Sequence, residues 1–165
     1  MDTIYRDGHV VKLIDQTRLP LETALVECPT AAALCEAIST MRIRGAPALG
    51  VAGAYAIALG AEAAPDGPTD FLAHLMRVAD QVRGTRPTAV NLSWGVNRAL
   101  DCARGVETLG ALETRKALWD FADRLAKEDI EANQRMGDYG ASLVPEGARI
   151  LTHCNAGSLA TAGWG

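Results

Sequence analysis

The stretch "MRIRGAPALGVAGAYAIALGA", residues 41–61, decides the fold. Arg42 and Arg44 stand one residue apart, Gly45, Ala46 and Pro47 follow, and no further charge occurs before Glu62. Such a segment could be a membrane span, a core helix or half of an anion site. From Gly45 to Ala61 there are 17 uncharged residues, mostly Ala and Gly, whereas a span needs roughly 20 strongly apolar ones. Gly50, Ala54 and Ala58 are small and fall on one helical face, which permits close packing. Pro47 suits a helical first turn. The stretch therefore predicts a buried central helix to about Ala64. Its mouth explains the guanidinium: a helix N-terminus presents free N–H groups and about half a positive charge. With an arginine as bidentate donor it favours phosphate or carboxylate.

Working outward, "HVVKLIDQTRLP" (9–20) predicts one or two short strands closed by a turn at Pro20. "PTAAALCEAISTMRIR" (29–44) has Thr30 as N-cap and apolar residues at Ala33, Leu34, Ala37, Ile38 and Met41, which is helical spacing. Beyond the central helix, "PDGP" (65–68) is a turn, and Thr69 caps a helix to about Arg83. Pro87 starts another to about Ala103, and a long helix runs from about Leu112 to Leu143. Pro145 and Gly147 stop it. "ARILTHC" (148–154), with Ile150 and Leu151 at its centre, reads as a short strand buried on both faces, and "NAGSLATAGWG" turns into a further helix. The expected architecture is α+β. Residues 1–147 form a mainly helical N-terminal domain with a small antiparallel β element, and 148–165 form the first strand and helix start of a Rossmann-like domain.

Composition narrows the function. The chain has 165 residues, 48% of them hydrophobic and 22% charged, which suits one globular domain or a domain plus a fragment. A net charge of −4 and 5% aromatics argue against a nucleic-acid or anionic-membrane surface. The start, "MDTIYRDGHV", lacks an apolar signal core, so a cytoplasmic protein is expected. Cys28, Cys35, Cys102 and Cys154 form no CxxC pair and no zinc-type spacing. The first three read as small buried hydrophobes with reduced thiols.

Three places could carry chemistry. Arg44 precedes the helix containing Pro47, and Arg86 precedes Pro87 at another expected helix start. Many such arginines only pair with a nearby carboxylate, so their bare presence does not make a site. Cys154 ends the expected strand where a glycine-containing turn enters a helix, and a thiol there has a lowered pKa and can act as nucleophile or acid/base. Gly45 and Gly157 let backbone approach a ligand closely. His153 is a poor partner for Cys154, because adjacent strand residues point to opposite faces.

The blocks "MRIRGAPALGVAGAYAIAL", "RPTAVNLSWGVNRAL" and "ILTHCNAGSLATAGWG", with "LIDQTRLP" near the start, resemble the signature blocks of the methylthioribose-1-phosphate isomerase family of methionine salvage. The wider family includes regulatory subunits of the guanine-exchange factor of translation initiation and ribose-1,5-bisphosphate isomerase. The resemblance implies a helical N-terminal domain, a Rossmann-like C-terminal domain, a phosphosugar substrate between them and a homodimer. It implies substrate contacts from Arg44, Gly45, Ala46 and Arg86, and Cys154 as catalytic cysteine. The partner it implies is an aspartate of the C-terminal domain, which has no counterpart in this sequence, so the 165-residue chain is expected not to turn over substrate. The implied reaction moves hydrogen from C2 to C1 of an aldose whose C1 oxygen carries phosphate. A thiol and a carboxyl can manage a proton route, an apolar pocket a hydride shift, and neither needs a metal or organic cofactor. The competing expectations are a non-catalytic sugar-phosphate- or nucleotide-binding regulatory subunit of the same fold, a ribose-1,5-bisphosphate isomerase-like enzyme, and a helical interaction domain using the long helix.

Overall fold

The computed structural model describes residues 2–165. Three strands, β1 (Ile4–Asp7), β2 (Val10–Ile14) and β3 (Leu25–Cys28), form an antiparallel sheet in the order β1-β2-β3. Asp7 pairs with Val10 across a two-residue turn at Gly8 and His9, where Gly8 supplies the left-handed backbone at φ 62° that a tight hairpin demands. Val11 and Leu13 face the core and are fully buried, as is Cys28. Lys12, between them, reaches Asp7 at 2.9 Å and Glu27 at 3.1 Å on the outer face. Strand alternation thus supplies one buried and one charged side.

Five helices follow: α1 (Ala31–Ser39), α2 (Ala46–Glu62), α3 (Pro68–Thr85), α4 (Val90–Val106) and α5 (Ala111–Ala141). The hydroxyl of Thr30 accepts from the Ala33 amide and caps α1 as expected. The helix stops well before Arg44, because Met41 adopts φ 65°. The Arg42 amide donates to Ala37 O at 2.9 Å and the Met41 amide to Ile38 O at 3.2 Å, a Schellman closure with methionine at the position glycine usually takes. Gly67 rather than Thr69 caps α3, with Pro68 in its first turn.

The central segment is the expected core helix. Every α2 residue from Ala48 to Ala61 is buried, and α4, α5, α3 and α1 pack around it. Glycines set the α2–α4 separation. A methyl built on Gly53 would lie 2.7 Å from Leu92 O, and one on Gly95 would overlap the carbonyl of Gly50. The two backbones are as close as glycine permits. No helix of the described residues is long and apolar enough to cross a membrane.

The last segment departs from expectation. Residues 148–154 form no strand, and Ile150 and Leu151 are 73% and 97% exposed. No described strand runs beside them, and an unpaired apolar run gains nothing from extending into a ladder. The expected helix after Cys154 is a single 3-10 turn, Ser158–Ala160. The stretch after Gly157 is nevertheless docked rather than free. Thr3 and Ile4 amides donate to Ala162 O at 2.7 and 3.2 Å, Thr3 Oγ1 donates to Ser158 O at 2.7 Å, and the Ala162 amide donates to Asp129 Oδ2 at 2.7 Å. Ala160, Thr161 and Ala162 are buried, which ties residues 158–162 to β1 and α5.

Candidate functional site

The mouth of α2 opens into a cavity of about 330 Å³. Arg44, Gly45, Ala46, Arg86 and Cys154 all line it, together with Met41, Leu49, Thr88–Asn91 and Asn155. Five residues singled out from three distant blocks thus converge. Met41, Asn91 and Asn155 were not singled out. Asn91 lies in the "NLSW" run and Asn155 follows Cys154, but an asparagine in a turn carries no distinctive signal, and Met41 read as one more apolar helix position.

The two arginines of the opening stretch are divided in role. Arg42 Nη1 lies 3.4 Å from Asp15 Oδ2 and Arg42 Nη2 3.4 Å from Glu36 Oε1. Arg44 meets no described carboxylate; its Nε donates to Gln16 Oε1 at 3.4 Å. Arg86 has no described ion-pair partner either. By contrast Arg6, Arg83, Arg104 and Arg115 each meet an aspartate within 3.1 Å. No carboxylate lines the cavity, so two guanidinium groups face it without neutralisation. The first turn of α2 adds its partial charge, and no side chain caps that turn.

Arg86 arrives by a different route from the expected one. It is the C-cap of α3, with φ −146° and ψ 79°, the extended conformation that a following proline imposes. The Ala89 amide donates to Arg86 O at 2.9 Å, so Pro87 is the second residue of a turn and α4 begins only at Val90. Proline's fixed φ suits both positions, which is why the sequence could not tell them apart.

Cys154 likewise lacks the expected helix start, since only the three-residue turn Ser158–Ala160 follows it. The sulfur belongs to an exposed residue with φ 65°. Met41 and Cys154 are the non-glycine residues with left-handed backbone among the described residues, and both line this cavity. Such strain concentrates at functional sites. Gly45, at φ 103°, passes so close to Ala160 that a Cβ there would overlap its backbone, which presses the docked segment against the start of α2.

The other thiols are muted. Burial pushes Cys28 up to about 11, with Glu36 adding to the rise, and burial raises Cys35 and Cys102. The thiolate is the reactive form, so these raised thiols are slow to react at pH 7. Iodoacetamide at pH 7 followed by peptide mapping is expected to label Cys154 first. Faster labelling of Cys35 or Cys102 would contradict this. Among the described residues no three His, Cys, Asp or Glu side chains gather as a metal would require.

The sequence that builds this fold and cavity matches a family model. Residues 42–162 match the Initiation factor 2 subunit family, IF-2B, and the chain belongs to it. It is 52% identical to the methylthioribose-1-phosphate isomerase of Desulforudis audaxviator, over 98% of this chain and 46% of the relative. It is 47% identical to the putative methylthioribose-1-phosphate isomerase of Archaeoglobus fulgidus, over 100% of this chain and 48% of that protein. Among solved structures it superposes on 5-methylthioribose 1-phosphate isomerase from Pyrococcus horikoshii with a TM-score of 0.92 and 39% identity, covering 99% of this chain and 46% of the other. It also superposes on A. fulgidus translation initiation factor eIF-2B, subunit delta, with a TM-score of 0.88 and 44% identity, covering 100% and 48%. The chain thus spans about half the length of the curated relatives it matches.

Proposed function

We propose that this chain forms the phosphosugar-binding N-terminal part of an aldose–ketose isomerase acting on 5-methylthioribose 1-phosphate and yielding the 1-phosphate of 5-methylthioribulose. The observation that carries this reading is the cavity itself, with two guanidinium groups, an uncapped helix start and no lining carboxylate, beside the exposed thiol of Cys154. A phosphate monoester suits that charge. Arg44 and Arg86 clamp the phosphate, Gly45 and Ala46 bring backbone to it, and Cys154 exchanges a proton with the sugar carbons. The complementary carboxyl group is no lining residue of this cavity. It comes from a Rossmann-like portion, whose first strand and helix form from 148–165 when neighbouring strands are supplied, with 1–147 as the separate helical domain. The working enzyme is a cytoplasmic homodimer. The likeness to the A. fulgidus initiation-factor subunit favours a second reading, a non-catalytic subunit that binds a phosphorylated metabolite. A cysteine needed for turnover separates the two.

Arg44→Ala and Arg86→Ala are each expected to weaken methylthioribose 1-phosphate binding by about 1.5–3 kcal/mol, the range of charge-assisted hydrogen bonds. Calorimetric titration checks this on the chain, and kcat/KM checks it in an active enzyme containing the chain. Unchanged affinity and unchanged kcat/KM in both variants would remove the assignment.

A further inference from the structure

The "LIDQTRLP" run has no residue in the cavity lining, yet its centre is buried and hydrogen-bonded beside the site. Gln16 is 5% exposed. Its amide donates to Arg42 O at 2.9 Å, its Nε2 donates to Leu159 O at 2.8 Å, and its Oε1 accepts from Arg44 Nε at 3.4 Å. The carboxamide orientation is forced. Leu159 O can only accept, so it must meet the NH2 end, and the oxygen is left toward a guanidinium that can only donate. The backbone that carries Gln16 is itself anchored. Asp15, 4% exposed, accepts from the Thr17 amide at 3.0 Å and the Thr17 hydroxyl at 2.6 Å, and meets Arg42 on its other oxygen.

We propose that Gln16 is a positioning residue for the anion site: its buried carboxamide links the Arg44 guanidinium to the docked segment at Leu159 and so fixes Arg44 relative to the turn bearing Cys154. By taking the Nε–H, Gln16 leaves the two Nη groups of Arg44 as the fork offered to a ligand. By holding Leu159, it keeps the polypeptide that follows Cys154 against the same arginine. Arginine side-chain rotamers are costly to immobilise on binding, and an arginine held beforehand avoids that cost. This inference rests on the phosphosugar reading of the cavity.

The test uses inorganic phosphate as probe, with the Asn155 backbone amide as NMR reporter in every variant. Gln16→Met, nearly isosteric but without the carboxamide, is expected to weaken phosphate binding about five- to tenfold. In an Arg44→Ala background it should change affinity less than about twofold, because coupled residues are not additive. Thr3→Val is the control. It deletes another bond to the docked segment, Thr3 Oγ1 to Ser158 O, without touching Arg44, and is expected to leave phosphate affinity unchanged. Equal losses from Gln16→Met and Thr3→Val, or full additivity with Arg44→Ala, would overturn the positioning role while sparing the cavity reading. No response of the wild-type chain to phosphate, or none lost in Arg44→Ala, would overturn both. Should Gln16→Met fail to fold, wild-type side-chain exchange decides: the Arg44 Nε–H must exchange more slowly than that of Arg86, and equal rates would overturn the link.

Discussion

Gly95→Ala is expected to destabilise the protein by more than about 3 kcal/mol, the upper range for overpacked cores. The new methyl would overlap the Gly50 carbonyl oxygen, so α4 would have to move away from α2. Rotamer changes cannot relieve this, because the obstacle is backbone. Gly53, whose added Cβ would meet Leu92 O at 2.7 Å, lies on the same interface and would be strained by the same displacement. Gly105→Ala on the same helix is the internal control: nothing lies within 4 Å of its built Cβ, and alanine there should stabilise by about 0.5–1 kcal/mol through helix propensity. Urea midpoints of the two variants, at unchanged m-value, measure the contrast. Equal midpoints would mean that the helices are not packed as described.

The second large effect concerns turnover. In an active enzyme containing this chain, Cys154→Ala is expected to lower kcat by about 10²- to 10⁴-fold, the usual share of general acid–base catalysis, with KM nearly unchanged because the proposed phosphate clamp of Arg44 and Arg86 is left in place. The 165-residue chain assayed alone should give no turnover, since its cavity offers no lining carboxylate to act as the second proton-transfer group. A Cys154→Ala enzyme within threefold of wild type would remove Cys154 from the proton route.

Where the sequence could be read, and where it could not, follows from the kind of signal each element sends. The buried α2 was legible because an uncharged Ala/Gly run with a leading proline has few other solutions. The helical spans of α3 and α5 came from their 3.6-residue periodicity, and Thr30 announced α1 through capping chemistry. Strands β1 and β3 were missed because Ile4–Asp7 and Leu25–Cys28 are four residues each, with only Ile4 and Cys28 buried. The end of α1 was missed because Met41 takes a left-handed conformation that no methionine advertises. The segment 148–154 was read as a strand from its apolar run, but a strand is a property of a pair, and sequence shows only one member. At the site, Arg44, Gly45, Ala46, Arg86 and Cys154 were gathered by resemblance to a family pattern. Local reasoning about helix starts holds for Arg44 alone among the two arginines and the cysteine. Gln16 was invisible, because its importance lies in long-range partners.

The docked segment also implies an order of events in folding. Thr3 and Ser158 are 155 positions apart along the chain, and Gln16 and Leu159 are 143 apart. Closing a loop of that length in an unfolded chain costs about 4.5 kcal/mol in entropy by the logarithmic law. Once the sheet and five helices have formed, the stretch that must still close is 142–157, between Ala141 at the end of α5 and the turn at Ser158. Closure then costs about 2.5 kcal/mol by the same law. Loop entropy alone thus favours assembly of the helical body before the strap carrying Cys154 closes over the mouth of α2.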